Sequence, residues 1–267
     1  KAQALMEQAN KMRAKATKAV AAQQMIKRAE RMMRGLEDER QTDKVSAIRF
    51  PEPAPCGKTP LSAQSLSKSY GSLEIFTDVD LAIDRGSRVV VLGLNGAGKT
   101  TLLRMLAGNT APDTGGVVYG HGAKIGYFAQ EHEILDGERT VLENMKSAAP
   151  DLDDTRVRTI LGSFLFSGDD VEKPAGVLSG GEKTRLSLAT LVASSANILL
   201  LDEPTNNLDP ASRKEILNAL KAYKGAIVMV SHDEGAVEAL NPERVLLLPD
   251  AVEDLWSKEY QDLISLA

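Results

Sequence analysis

The chain has 267 residues, a formal net charge of −5, 43% hydrophobic residues and a single cysteine. That is enough apolar material for one sizeable α/β domain plus an accessory element, whereas the lone Cys56 excludes an internal disulfide and any cysteine-cluster metal site. No apolar run approaches the roughly 20 residues that a membrane-spanning helix needs, so neither membrane insertion nor a transport pore is expected. The sequence starts at Lys1 and shows no signal-peptide pattern, and it is read as a fragment whose upstream part is missing.

Residues 2–39 contain no proline and one glycine, Gly35, and are dominated by good helix formers. Leu5, Met12, Ala19, Ile26 and Met33 recur every seven residues, which places them on one narrow stripe suited to a single partner helix. A coiled coil or helical hairpin is predicted over residues 1–49, with Asn10 able to mark a turn. The first 34 residues hold nine basic side chains against Glu7 and Glu30, a surplus opposite in sign to that of the whole chain. Residues 50–60 contain four prolines, too many for a helix or a central strand, and are expected to form a stiff linker. From residue 61 to 267, short apolar strands alternate with helical segments, the pattern of a largely parallel sheet covered by helices.

The chemistry concentrates in this last part. The β-branched run Arg88-Val89-Val90-Val91-Leu92 leads into Gly93-Leu94-Asn95-Gly96-Ala97-Gly98-Lys99-Thr100, and then into the helical Thr101-Leu102-Leu103-Arg104-Met105-Leu106. This is a phosphate-binding loop with a strand before it and a helix after it. Its glycines let backbone N–H groups turn toward phosphate oxygens, and the helix N-terminus adds the positive end of its dipole. Lys99 is expected to neutralise the β- and γ-phosphates, Thr100 to ligate Mg²⁺, and Gly93, Asn95, Gly96, Ala97, Gly98 and Thr101 to complete the cradle. Downstream, the buried-strand candidate 196–201 ends in Asp202-Glu203. Ligands bind at the C-terminal edge of such sheets. Asp202 can there hold the metal, and Glu203 can take a proton from an attacking water.

Leu178-Ser179-Gly180-Gly181-Glu182 matches the signature motif of ATP-binding cassette proteins, and with the phosphate loop and the Asp202-Glu203 strand it makes residues 61–248 resemble that family. The resemblance implies a nucleotide-binding core sheet, an antiparallel β subdomain and a helical subdomain around residues 131–192. It also implies that Tyr70 stacks on adenine, that Gln130 touches the metal or the water, and that His232 contacts the γ-phosphate. Asp209 would sit in the loop that communicates between paired cassettes. Ser179, Gly180, Gly181 and Glu182, opening a helix that begins near Glu182, would address the ATP held by a second cassette.

The stretches Leu178-Ser179-Gly180-Gly181-Glu182-Lys183-Thr184-Arg185-Leu186 and Asp202-Glu203-Pro204-Thr205-Asn206-Asn207-Leu208-Asp209 look like the ABC-F subfamily of cytoplasmic translation factors and ribosome-protection proteins. The resemblance implies ATP and Mg²⁺ as ligands, a second, upstream cassette as partner, and a basic helical hairpin that reaches ribosomal RNA and tRNA. Basic helices attract phosphate backbone whatever its sequence. Lys11, Arg13, Lys15 and Lys18, which flank the possible turn, are the RNA-contact candidates, against the plainer reading of a basic linker that touches no RNA. By itself the chain is expected to be a monomer or a weak homodimer. The competing reading is the ATPase subunit of a membrane transporter, whose cassettes more usually carry glutamine after the two glycines and serine and alanine in place of Asn206 and Asn207. A DNA-maintenance ATPase would normally split its cassette with the coil, and here the cassette is uninterrupted.

Overall fold

Two kinds of strand sequence build two kinds of sheet. The computed structural model describes residues 48–129 and 135–264; the candidates Lys11, Arg13, Lys15, Lys18 and Gln130 lie outside them. Along the chain come β1 (Leu61–Tyr70), β2 (Leu73–Ile83), β3 (Arg88–Leu92), helix α1 (Lys99–Leu106), β4 (Thr114–Tyr119) and β5 (Ile125–Phe128). Helices α2 (Val141–Ala148), α3 (Asp154–Ser163) and α4 (Gly180–Ala193) follow. The chain then returns through β6 (Ile198–Asp202), α5 (Pro210–Ala222), β7 (Ala226–Val230), α6 (Glu234–Leu240), β8 (Arg244–Leu247), β9 (Val252–Leu255) and α7 (Gln261–Ile264).

β1 pairs antiparallel with β2 on one side and β4 on the other, and its mixed polar and apolar sequence gives it one wet face. The second sheet has the order β5-β6-β7-β3-β8-β9 and is parallel except for the edge strand β9. β6 and β7 are buried along their whole length, as their unbroken aliphatic runs require. Helix α1 lies between the sheets: Leu102, Leu103, Met105 and Leu106 join Phe76, Val79 and Ile83 of β2 and Val89, Leu200, Val228 and Leu246 of the parallel sheet in one core. Burying each such side chain contributes about 1.5–3 kcal/mol, and here that burial fixes where α1 begins relative to the strand ends.

The helical part is organised around α4, whose central residues are buried, polar ones included. Thr184 and Thr190 tolerate this by donating their hydroxyls to the carbonyls of Gly180 and Ser187, at 3.0 and 2.7 Å. In α2, buried Asn144 accepts from the Asp136 N–H and donates to the Asp136 carbonyl, pinning the preceding turn. The antiparallel sheet, the parallel sheet and this helical group are the three parts that the sequence implied for residues 61–248.

Two boundaries differ from the sequence expectation. β6 starts at Ile198 and includes Asp202, because Ala196 and Asn197 are used for anchoring: the Tyr223 hydroxyl donates to the Ala196 carbonyl, and the Asn197 side chain donates to the Ala54 and Gly122 carbonyls. α4 starts at Gly180 rather than near Glu182, because Ser179 is its N-cap. The proline-rich segment lies against the domain, with the Ala54 N–H donating to the Ser195 carbonyl and Phe50 stacked edge-on to Tyr223 at 5.3 Å. Among the described residues, no helix is long and apolar enough to cross a membrane.

Candidate nucleotide-binding site

β3, β7 and β6 are neighbours in the sheet, and the segments that leave their C-terminal ends converge. β3 leads into the glycine loop and α1, β6 ends in Asp202-Glu203, and β7 leads into Ser231-His232-Asp233. The three motifs, far apart in sequence, therefore meet at one sheet edge, where open parallel sheets bind ligands. They line a cleft of about 300 Å³ with Asn95, Gly96, Gly98, Lys99, Thr100, Thr101, Asp202, Glu203 and His232, closed on one side by Ile75 of β2.

The loop needs its glycines for separate reasons. Gly98 has φ 93°, in the left-handed region, and a Cβ there would stand 2.3 Å from Ile75 Cγ2 and 2.8 Å from the Phe76 ring. At Gly93 a Cβ would meet the Leu248 carbonyl oxygen at 2.5 Å. α1 starts without a side-chain cap and without an acidic residue in its first turn, so its N-terminus is open to an external anion. Lys99 is buried and folds back onto the loop, its ammonium donating to the carbonyls of Gly93 at 2.5 Å and Leu94 at 3.2 Å. Burial lowers its pKa, opposed by the negative field of Glu203 and Asp202.

The acidic pair is divided by its surroundings. Asp202 is 1% exposed; burial raises its pKa, opposed by a hydrogen bond from Thr100 and by the charge of Arg104, and among the described residues its Oδ2 has no hydrogen-bond partner. A buried carboxylate oxygen without a partner beside a hydroxyl suits a hard cation. Among the described residues no cluster of three His, Cys, Asp or Glu side chains could form a complete metal cage. Thr100, hydrogen-bonded to the buried Asp202, offers with it the kind of donor pair that fits Mg²⁺, which is typically held by one or two protein groups together with phosphate oxygens and water.

Glu203 adopts φ +51°, a costly conformation for a residue with a side chain, and it is 4% exposed. Its carboxylate accepts from the His232 N–H at 3.0 Å and the Ser231 hydroxyl at 3.3 Å, and lies 3.2 Å from His232 Nε2. Burial, added to by the Asp202 charge and opposed by these donors, lifts its pKa from 4.5 to about 7. The pair of acids thus offers one group suited to a hard cation and one whose raised pKa suits proton exchange.

The remaining expected site residues lie elsewhere. Tyr70 is half exposed at the end of β1, with the Lys68 ammonium 5.5 Å from its ring centroid. Ser179 caps α4 in a reciprocal box with Glu182, and Ser179 and Gly180 are exposed. Gly181 approaches the Asn207 carbonyl in the loop before α5, and Asp209 caps α5 through the N–H groups of Ala211 and Ser212. Ile75, Ser231 and Arg104 were not singled out from sequence. Ser231 could have been found from its place between a buried strand and His232, but Ile75 comes from a distant antiparallel strand and carries no local signal.

Residues 76–206 match the protein family described as ABC transporter. The chain is 40% identical over 219 residues, 81% of its length and 41% of the relative's, to a probable ATP-binding protein, YbiT, of Escherichia coli O157:H7. It is 38% identical over 189 residues, 69% of its length and 34% of the relative's, to the energy-dependent translational throttle protein EttA of Haemophilus influenzae. It is also 34% identical over 215 residues, 80% of its length and 31% of the relative's, to ABC transporter F family member 5 of Arabidopsis thaliana. The chain thus spans well under half the length of these curated relatives. A solved ATP-binding cassette, MJ0796, superposes with a TM-score of 0.62 at 24% identity over 73% of this chain and 98% of that one, which shows the fold. The chain belongs to the ATP-binding cassette family, and its relatives place it with the ABC-F proteins.

Proposed function

We propose that this chain is the Mg·ATP-binding and hydrolysing cassette of an ABC-F protein whose nucleotide state gates its binding to the ribosome in the cytoplasm. The observation that supports it most is the meeting, at one sheet edge, of the uncapped α1 N-terminus and Lys99 with the buried acids Asp202 and Glu203. In this reading the loop from Gly93 to Thr101, including Asn95 and Ala97, cradles the phosphates, Lys99 exchanges its loop carbonyls for phosphate oxygens, and Tyr70 supports the adenine. Thr100, Asp202 and Gln130 hold Mg²⁺, which when bound offsets negative charge on the phosphates. Glu203 accepts the proton of the attacking water, and His232 donates toward the γ-phosphate.

The signature segment supports a composite site. Ser179, Gly180, Gly181 and Glu182 are not among the residues lining the cleft, so in this reading they serve the ATP of a second cassette, with Asp209 in the loop between the two. Residues 1–49 are then an arm of the interdomain hairpin, 50–60 its linker and 61–267 the cassette. The ribosome enters through the relatives, one of which is named as a translational throttle, and through the basic surplus of the first 34 residues. Co-sedimentation of the full-length protein with ribosomes in the presence of ATP tests it. Glu203→Gln should increase pelleting by trapping the ATP state. Reversing Lys11, Arg13, Lys15 and Lys18 to glutamate, or raising salt, should reduce it. Equal pelleting of all forms at low and high salt would remove the ribosome from the reading and leave the ATPase.

A further inference from the structure

His232 is held through its neighbour. Asp233 accepts two hydrogen bonds from Arg213, from Nε at 2.9 Å and from Nη2 at 2.6 Å, the fork geometry that only a guanidinium provides. It also accepts from the Thr205 hydroxyl at 3.0 Å and from the Gly235 N–H at 2.9 Å. On its other side the Asp233 N–H donates to the Ser231 hydroxyl at 3.1 Å, and that hydroxyl donates to Glu203. His232, between the two, gives its own N–H to Glu203. Movement of Asp233 would therefore reach Glu203 through both flanks of the histidine.

Gly235 is a second sign that the clamp is built in. It occupies the second position of α6, where glycine is among the poorest helix formers. A Cβ there would stand 2.8 Å from Arg213 Nη2 and 3.2 Å from Asp233 Oδ1. The missing side chain leaves the room that the guanidinium fills. Arg213 in turn stands in the first turn of α5, the helix capped by Asp209. Asp209 has Arg185 of α4 at 4.0 Å, which brings the signature helix beside the start of α5.

We infer that Arg213 is a positioning residue for hydrolysis: by clamping Asp233 it holds His232 against Glu203 and ties that pair to the helix that begins at Asp209. The inference rests on the ATPase reading above, and its test includes a readout that needs no hydrolysis. The ring resonances of His232, assigned among the three histidines by their loss in His232→Gln, are recorded for the nucleotide-free chain and for Arg213→Ala, Arg213→Lys and Gly235→Ala. ATP affinity by calorimetry and turnover at one high protein concentration are measured alongside.

In Arg213→Ala the His232 resonances should move and turnover should fall on the order of 10- to 100-fold, while ATP affinity stays within about twofold of the parent. Arg213→Lys, which keeps the charge and loses the fork, should recover only part of the turnover. Gly235→Ala should lower turnover with the arginine and the aspartate both present. Unmoved His232 resonances with parental turnover would overturn the inference. So would a loss of ATP affinity that matches the loss of turnover, which marks general collapse of the cleft. A parent that binds no ATP would refute the nucleotide reading, and the His232 resonances would still decide the clamp.

Discussion

α1 and α4 both open on glycines, yet their N-termini are prepared for opposite situations. α1 follows Gly98 in the left-handed region, has no side-chain cap and no acid in its first turn, and presents Lys99. α4 follows Ser179, whose hydroxyl accepts from the Glu182 N–H at 3.4 Å, while the Glu182 carboxylate accepts from the Ser179 N–H at 2.8 Å and its hydroxyl at 2.7 Å. The Ser179 hydrogen bonds hold the Glu182 carboxyl below its ordinary pKa, so α4 already carries an anion of its own. The first helix start is open within the cleft and suits a phosphate brought by a ligand. The second is self-satisfied and exposed, and suits contact with something that arrives from outside the cleft.

The largest expected effect breaks the open end. Lys99→Ala should weaken Mg·ATP binding on the order of 100-fold, because a charge-assisted contact to phosphate is lost from a buried position. Calorimetry with unchanged affinity would refute the phosphate-loop assignment, whereas Ser179→Ala should leave affinity for ATP in this cleft close to the parent's.

A second effect follows from Glu203. Its pKa in the fold, about 7, is raised above 4.5, so the folded state favours the protonated form. The stability it contributes is complete below about pH 4.5 and is lost as pH rises through 7, amounting to at most about 3 kcal/mol. Glu203→Gln should therefore be more stable than the parent at pH 8, with the advantage disappearing toward pH 4.5. Thermal melts across that range check it, and a constant difference would mean that Glu203 is not held as an uncharged buried acid.

The smallest effect sharpens the closed end. Ser179→Ala should cost about 1 kcal/mol of stability, a typical loss for an N-cap, equivalent to roughly 2–4 °C in melting temperature for a domain of this size. A parental melting temperature would show that the capping box contributes little in solution.

How much of this was legible in sequence depends on how local the cause is. The phosphate loop announces itself because positive φ at Gly98 and close approach at Gly93 demand glycine, and because a buried strand must precede them. Asp202-Glu203 was legible as two acids after an aliphatic run, with Asp202 expected at the metal and Glu203 at the attacking water, but the surroundings that set their protonation apart were not. Their different states depend on burial and on Ser231 and His232, which arrive from β7. The Arg213–Asp233 clamp joins positions 20 residues apart across a strand and carries no periodic pattern. Ile75 reaches the cleft only because α1 packs under the antiparallel sheet. Ser179 was legible as the opening of a helix, yet the start at Gly180 needed the cap geometry itself.

The contrast between the two helix starts is tested most directly by turnover per chain over a wide range of protein concentration, with sedimentation to report the mass. One chain supplies the open cleft, and its signature segment does not line that cleft, so transition-state stabilisation should be incomplete in a monomer. Total activity should then rise more steeply than linearly with concentration, in step with any self-association, and should be lost in Glu203→Gln. Concentration-independent turnover by a demonstrated monomer, abolished by Glu203→Gln, would show that one cleft suffices and would contradict the composite site.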